Sequence, residues 1–404
     1  MKTSPEERLA QLERSRSALA RPALAALSLA AGGYAAALKA RGWCYASGLF
    51  PRHQLSRPVI SVGNIEAGGT GKTPLVCLLA RLLREAGLKV AVVSRGYRGA
   101  ADSPVNVVSD GERVLLSPEL AGDEPYLMAR ELPGVCVLTG RRRYQPAQAA
   151  VEQLGAQVIL LDDGFQHLSL SRDLDIVVIG EALGEALSES LSEAPGEALA
   201  EPLDSNEHFC EVGAARLLPR GLLREPLSAL GRADAYVLTG QAAAALKPKL
   251  SRRFPGKAVF IARHLPEQLR PLGGGEALRP EALRPDERSP EDLRGAAVAA
   301  FCGLGAPQRF RRTLTSLGAD LRAFHPFPDH HAFSAAELAE LAREAASLSA
   351  MLVTTEKDAV RCEGLIGGGL SANLLAQVWA LGVRLSVDDE AGLRALVLRA
   401  AGAA

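Results

Sequence analysis

Aromatic residues are scarce in this 404-residue chain, at 4%, and there are only two tryptophans and three methionines. Neither sign of charge is in excess, since Lys+Arg and Asp+Glu both number 46 and the formal net charge is zero. A general nucleic-acid binder needs a basic excess to neutralise phosphates, so the balance argues against that class. The six cysteines (Cys44, Cys77, Cys136, Cys210, Cys302, Cys362) lie far apart and form no CxxC pair. That spacing excludes the usual zinc site and fits a reduced, cytosolic chain. The chain also lacks a run of about 20 strongly apolar residues, the length a spanning helix needs. Its one long uncharged segment begins too far from Met1 to read as a signal peptide.

What is present is unevenly distributed. Up to Arg57 the chain carries nine Lys/Arg against three Asp/Glu, whereas Glu181 to Glu211 carries nine acids and no Lys or Arg. From Pro22 to Leu38 no residue is charged. Arg14, Arg16 and Arg21 precede this Ala/Leu-rich stretch, and Lys39, Arg41, Trp43, Tyr45 and Phe50 follow it. Small apolar residues flanked by cations and aromatics predict a helix lying in a membrane interface, over an N-terminal segment of residues 1–50. A plain packing helix and a true span are the other readings of the same residues.

Pro58 to Val62 is a short β-branched run that reads as a buried strand. It leads into Gly63-Asn64-Ile65-Glu66-Ala67-Gly68-Gly69-Thr70-Gly71-Lys72-Thr73-Pro74, after which LVCLLARLLREAGL shows apolar residues at helical spacing. Strand, glycine loop and helix in that order make a phosphate loop. Glycines let backbone N–H groups turn toward phosphate oxygens, and the helix N-terminus adds partial positive charge. The expectation is that Glu66, Ala67, Gly68, Gly69, Thr70, Gly71, Lys72 and Thr73 cradle ATP, with Lys72 reaching the β- and γ-phosphates and Thr73 on Mg²⁺. The strict GxxxxGK[ST] pattern would place Gly where Glu66 stands.

Further strands are predicted at Lys89–Val93, Val135–Leu138, Val158–Leu161, Asp175–Ile179 and Ala235–Leu238, alternating with helices. That alternation predicts a mostly parallel sheet covered by helices on both faces, as in P-loop NTPases, with ligands at the carboxyl ends of the strands. The strand at Val158–Leu161 ends in Asp162-Asp163, carboxylates at the place a nucleotide-bound Mg²⁺ requires.

The chain resembles the tetraacyldisaccharide 4′-kinase family, the lipid A 4′-kinases. The likeness rests on VGN…GGTGKTP at Val62–Pro74, SRGY at Ser94–Tyr97, GDEP at Gly122–Pro125, LDDGFQH at Leu161–His167, RDLDIV at Arg172–Val177, LLREPLSAL…RAD at Leu222–Asp234, FCGLGAPQRF at Phe301–Phe310, DHHAF at Asp329–Phe333 and TTEKDAVR at Thr354–Arg361. Nine pieces in one order are specific where any single one is weak. The resemblance implies transfer of the γ-phosphate of ATP to the 4′-hydroxyl of a tetraacylated glucosamine disaccharide 1-phosphate. It places the work at the cytoplasmic face of the bacterial inner membrane, and a monomer is expected. It makes Asp123 the acceptor of the hydroxyl proton and His330 its support, with His331 turned elsewhere. Arg224 and Glu225 then border nucleotide or metal, and Arg143 meets a phosphate. Asp123 is also a good helix start, and capping and catalysis are compatible. Two other readings fit the phosphate loop alone: a P-loop kinase or ligase with a soluble substrate, and a nucleotide-dependent switch protein.

The expected organisation is a kinase core over 51–270, a Gly/Pro-rich linker over 271–295 and a smaller α/β domain over 296–404. Strands are predicted at Ala296–Phe301 and Met351–Thr354, with a helix at Gln308–Leu317. Asp123 and His330 then fall in different domains, whose closure would assemble the base. Glutamate recurs every fourth residue from Glu181 to Glu201, so 181–211 reads as an acidic low-complexity insertion, partly disordered.

Overall fold

The computed structural model describes residues 20–97, 99–191, 216–272, 288–363, 365 and 376–403. In chain order the elements are α1 (Ala20–Ala46), β1 (Val59–Gly63), α2 (Lys72–Glu85), β2 (Val90–Ser94), β3 (Asn106–Ser109), α3 (Asp123–Glu131), β4 (Cys136–Thr139) and α4 (Tyr144–Glu152). Then come β5 (Val158–Asp162), β6 (Leu174–Ile179), α5 (Glu181–Ser190), β7 (Ala235–Leu238), α6 (Ala243–Arg253) and β8 (Ala258–Pro271). The last part holds β9 (Ala297–Cys302), α7 (Pro307–Ser316), β10 (Asp320–Pro326), α8 (Ala335–Ser347), β11 (Met351–Thr355), α9 (Glu356–Glu363), β12 (Val378–Val387) and α10 (Glu390–Ala400).

Contacts group the chain into two compact units. The first comprises Met1–Leu83, Gln157–Arg263 and Val387–Ala404. Its strands run β8-β7-β6-β1-β5, all parallel. Every residue of β1, β5, β6 and β7 is buried, the mark of a sheet covered on both faces. Its α2 buries Leu75, Val76, Leu79, Ala80, Leu82 and Leu83 on one side. That spacing is why this run becomes a helix, each large aliphatic contributing roughly 1.5–3 kcal/mol on burial.

The second unit comprises Arg84–Ala156 and His264–Ser386. It holds β2 parallel to β4, with β3 antiparallel on β4. It also holds the parallel series β10-β9-β11-β12. The core under that series joins Phe301, Phe333, Leu338, Leu352 and Val378.

This grouping departs from the linear division expected at 271–295. The segment with Asp123 groups with 264–386, because α3 is tied to α9 by ion pairs described below. Residues from 387 on group with the phosphate-loop half, where Asp388 pairs with Lys247 at 2.6 Å and accepts from the Ile261 N–H at 2.9 Å.

Two further expectations change. The predicted acidic insertion begins as a regular helix, α5, with Leu183, Ala186 and Leu187 buried in the core. The i, i+3, i+4 apolar stripe outweighs the like-charge pairs Glu181–Glu185 and Glu185–Glu189, which cost only ~0.2–0.5 kcal/mol each. The rest of 181–211, most of the 271–295 linker and residues 1–19 lie outside the described residues. The N-terminal helix is longer than 22–38, and it is not amphipathic: Ala, Leu and Gly surround its axis without a polar stripe. Pro22–Ala46 is long and apolar enough to cross a membrane by length and composition, and 6% of that window is buried.

Candidate active site

In the first unit the phosphate loop follows β1 and ends where α2 begins at Lys72. Gly68 and Gly71 take φ of 115° and 91°, a backbone region side chains other than glycine rarely enter. In β5 the register sets Asp162 beside Val62, the residue before the loop's first glycine. The carboxylate pair therefore stands at the carboxyl end of the strand, where sequence reasoning put it.

Asp163 is held in the left-handed region at φ 55°. It lies 3.5 Å from Lys72 Nζ and accepts two bonds from the Arg224 guanidinium, at 2.9 and 2.6 Å. Arg224 also donates to the side chain of Asn64, whose Nδ2 donates to Thr70 Oγ1 at 3.0 Å. Burial disfavours the Arg224 cation, but the Asp163 carboxylate outweighs it and holds the guanidinium above its ordinary pKa. The segment is stitched to the loop by backbone as well, with Arg224 N–H donating to the Ile65 carbonyl at 2.7 Å and Ala67 N–H to that of Leu222 at 2.7 Å. From α1, the Tyr34 hydroxyl donates to the Arg224 carbonyl at 2.8 Å and Arg41 to the Gln166 carbonyl at 2.7 Å. Gln166 in turn donates to the Asn64 carbonyl at 2.7 Å.

Two residues expected around the nucleotide turn their side chains elsewhere. The Glu66 carboxylate is buried and accepts from the Gly180 N–H, just ahead of α5, at 2.7 Å. Glu225 pairs with Arg232 at 2.8 Å, and Arg232 stacks over the Phe165 ring at 4.4 Å. Glu225 thereby lines a cleft of about 220 Å³ with Leu38, Lys39, Arg41, Leu168 and Arg232. His167 bonds Ser169 Oγ at 3.0 Å.

The second unit carries the Asp123–His330 pair. Asp123 is the first residue of α3, and Gly122 before it has φ 88° and ψ 153°. The Asp123 carboxylate meets His330, 207 positions away in sequence, at 3.2 Å through Oδ2 and Nδ1. His330 is itself in the left-handed region at φ 60°. Its Nε2 is 3.4 Å from Lys357 Nζ, and Lys357 also pairs with Glu124 at 3.1 Å. Nδ1 of His330 thus faces the Asp123 carboxylate, which only accepts, and the Arg361 Nη2 at 2.9 Å, which only donates, so the ring tautomer sets which of the two it bonds. His331 points away, pairing with Glu337 at 3.0 Å and stacking on Phe327.

Because Asp123 and His330 belong to one unit, no closure of one domain on another is needed to bring them together. The earlier expectation of such a closure is corrected on that ground. Arg361, one turn beyond Lys357 on α9, donates from Nε to Asp123 Oδ2 at 2.7 Å. Burial pushes the Asp123 carboxyl up, but the His330 hydrogen bond and the Arg361 cation outweigh it and hold the carboxyl down at about 2. Sequence reasoning left Lys357 between a structural and a catalytic role and gave Arg361 none beyond its place in TTEKDAVR. The available signal was their i, i+4 spacing, which puts both cations on one helix face. Arg143 also lies in this unit, buried immediately before α4.

The first unit thus holds a phosphate cradle with hard oxygen donors for a divalent cation beside it, and the second holds a carboxylate backed by an imidazole. A family model described as tetraacyldisaccharide-1-P 4′-kinase, LpxK, matches residues 23–187 and 204–401. A tetraacyldisaccharide 4′-kinase of Anaeromyxobacter dehalogenans (strain 2CP-C) is 44% identical over 345 residues, 84% of this chain and 81% of the relative. That of Geobacter sulfurreducens is 38% identical over 375 residues, 92% of both chains. Among solved structures, the "apo" form of LpxK from Aquifex aeolicus in complex with ATP aligns with a TM-score of 0.68 at 31% identity, over 94% of this chain and 99% of that one.

Proposed function

We propose that this chain, which belongs to the tetraacyldisaccharide 4′-kinase family, transfers the γ-phosphate of ATP to the 4′-hydroxyl of a tetraacylated glucosamine disaccharide 1-phosphate. The product is lipid IVA, an intermediate of lipid A synthesis. The observation that carries the reading is the Asp123–His330 pair, since a nucleotide switch needs no base and a hydroxyl acceptor does. Lys72 neutralises charge developing on the transferred phosphoryl group, and the loop from Glu66 to Thr73 binds the phosphates through its backbone. Asp123 orients the hydroxyl and takes its proton as the new P–O bond forms and the bond from the γ-phosphorus to the bridging oxygen breaks, ADP leaving; a weak base suffices in so loose a transition state.

Thr73 and Asp162 are oxygen donors of the kind Mg²⁺ prefers, and we assign the ion to them. Asp163 is engaged by Lys72 and Arg224, so Asp162 is the better direct ligand. When bound, Mg²⁺ neutralises phosphate charge. Arg143 is kept as a phosphate contact.

The exposed, all-round apolar α1 supports attachment at the cytoplasmic face of the inner membrane, where ATP and an acylated sugar meet. The cleft with Lys39, Arg41 and Arg232 beside that helix suits a phosphorylated headgroup. We take the monomer expected from the family resemblance as the working unit.

The test is transfer of labelled γ-phosphate to tetraacyldisaccharide 1-phosphate in mixed micelles, with wild type beside Asp123→Ala. Labelled lipid that falls ~10²–10⁴-fold in the variant is expected. A folded, ATP-binding wild type that labels no lipid would refute the substrate.

A further inference from the structure

Arg361 has no role in the function described so far, yet it is more constrained than either member of the pair it touches. Its side chain is 7% exposed. Beyond the Nε bond to Asp123 Oδ2, Nη1 donates to Asp358 Oδ1 at 2.6 Å and to the Gly303 carbonyl at 3.2 Å. Nη2 lies 2.9 Å from His330 Nδ1. One planar group thus touches α3, the loop after β9, the His330 turn and its own helix.

Its second carboxylate is equally fixed. Asp358 is fully buried and accepts on Oδ2 from the Gly303 N–H at 2.9 Å and the Thr355 hydroxyl at 2.7 Å. The guanidinium cannot relax toward solvent without leaving the buried Asp358 carboxylate without its cation. Both contacts to Asp123 fall on Oδ2, which directs the other oxygen, Oδ1, to an acceptor.

We infer that Arg361 is a positioning residue for phosphoryl transfer, a buried clamp that fixes the Asp123 carboxylate and the His330 ring in one mutual geometry with Oδ1 presented to the sugar hydroxyl. The inference rests on the kinase reading above. The charged groups that act on Asp123 are His330 from the loop and Arg361 from α9; behind them, Asp329, Lys357 and Tyr97 stand against His330, Asp358 against Arg361, and Glu124 of its own helix against Lys357. Of these, Arg361 and His330 touch it. Without the cation, burial is opposed by His330 alone and the carboxyl rises. A rotationally free carboxylate also loses near-attack geometry, which costs ~10²-fold per ångström of misplacement.

The experiment compares wild type, Arg361→Gln, Arg361→Lys and the charge-balanced double variant Arg361→Gln/Asp358→Asn. The double variant removes both buried charges together and guards against misfolding of the single one. Phosphorylation of the sugar lipid is followed from pH 4.5 to 9 with ATP affinity measured alongside. Expected for Arg361→Gln and the double variant are kcat lower by about 10²-fold, ATP affinity unchanged, and an acidic limb in kcat that wild type lacks in this range. Arg361→Lys keeps charge without the planar fork, so it should lose rate while keeping the wild-type pH profile. Wild-type rates in either Gln variant, or a lower rate with an unaltered pH profile, would overturn the inference. If wild type itself labels no lipid, the kinase reading has failed. The clamp is then read in the unliganded protein, where equal loss of stability from Arg361→Gln with Asp123 and with Asp123→Asn would overturn it.

Discussion

Gly122→Ala should lower turnover while leaving ATP binding intact. Gly122 precedes Asp123, and at φ 88° and ψ 153° it occupies a region open essentially to glycine. An added Cβ would stand 2.6 Å from the Tyr97 carbonyl oxygen and 3.3 Å from the Gly99 nitrogen, both backbone atoms. Holding alanine there costs of order 1–3 kcal/mol in strain alone, and the overlap with Tyr97 adds to it. The chain escapes by rotating the first turn of α3, which moves Asp123 away from partners at 2.7 and 3.2 Å. A shift of about 1 Å lowers turnover by roughly 10²-fold. The phosphate loop lies in the other unit, so ATP affinity should hold. Turnover on the sugar lipid, ATP binding by calorimetry and denaturant midpoint measure the three quantities. A Gly122→Ala protein with wild-type turnover would refute the claim that the glycine sets the base. Equal loss of turnover and ATP affinity would show that the damage is global.

Two pH-dependent effects follow with opposite sign. Asp123 is held from 3.8 down to about 2, so its ionised contacts contribute about 2 kcal/mol above pH ~4 and lose it as pH falls toward 2. Asp123→Asn should therefore be less stable than wild type at pH 7, with the gap narrowing in acid; a gap independent of pH would contradict the assignment. Glu356 is raised from 4.5 to about 8, by burial first and by Glu131 next. A raised carboxyl costs stability as pH climbs from its unfolded value toward its folded one. Glu356→Gln should be near neutral at pH 5 and more stable than wild type by about 2 kcal/mol or more at pH 8.5, read from urea midpoints.

Strands with continuous apolar runs were legible from sequence, because a run buried on both faces leaves its composition in the letters: β1, β2, β5, β6 and β7 fall within a residue or so of expectation. The strands that escaped notice, β3, β8, β10 and β12, are part-exposed along much of their length, so no such run marks them. At the site, motifs named Lys72, Asp123, Asp163 and His330, but not who touches whom. Nothing local distinguishes Glu225, drawn to Arg232, from Arg224, drawn to Asp163. The role of Arg361 is set by contacts with residues 31 and 238 positions away, a separation no window of sequence contains.

The ties from α1 have a practical side for anyone producing the protein. Trimming a greasy N-terminal helix is the usual route to a better-behaved sample. Here removal of residues 20–46 would delete Tyr34 and Arg41, which hold the carbonyls of Arg224 and Gln166. Those two residues are the ones that grip Asn64. A shortened chain would thus report kinetics of a loosened nucleotide site. Solubility is better sought by polar replacement of Leu29, Trp43, Leu49 and Phe50, whose side chains are exposed, leaving the helix in place as a brace.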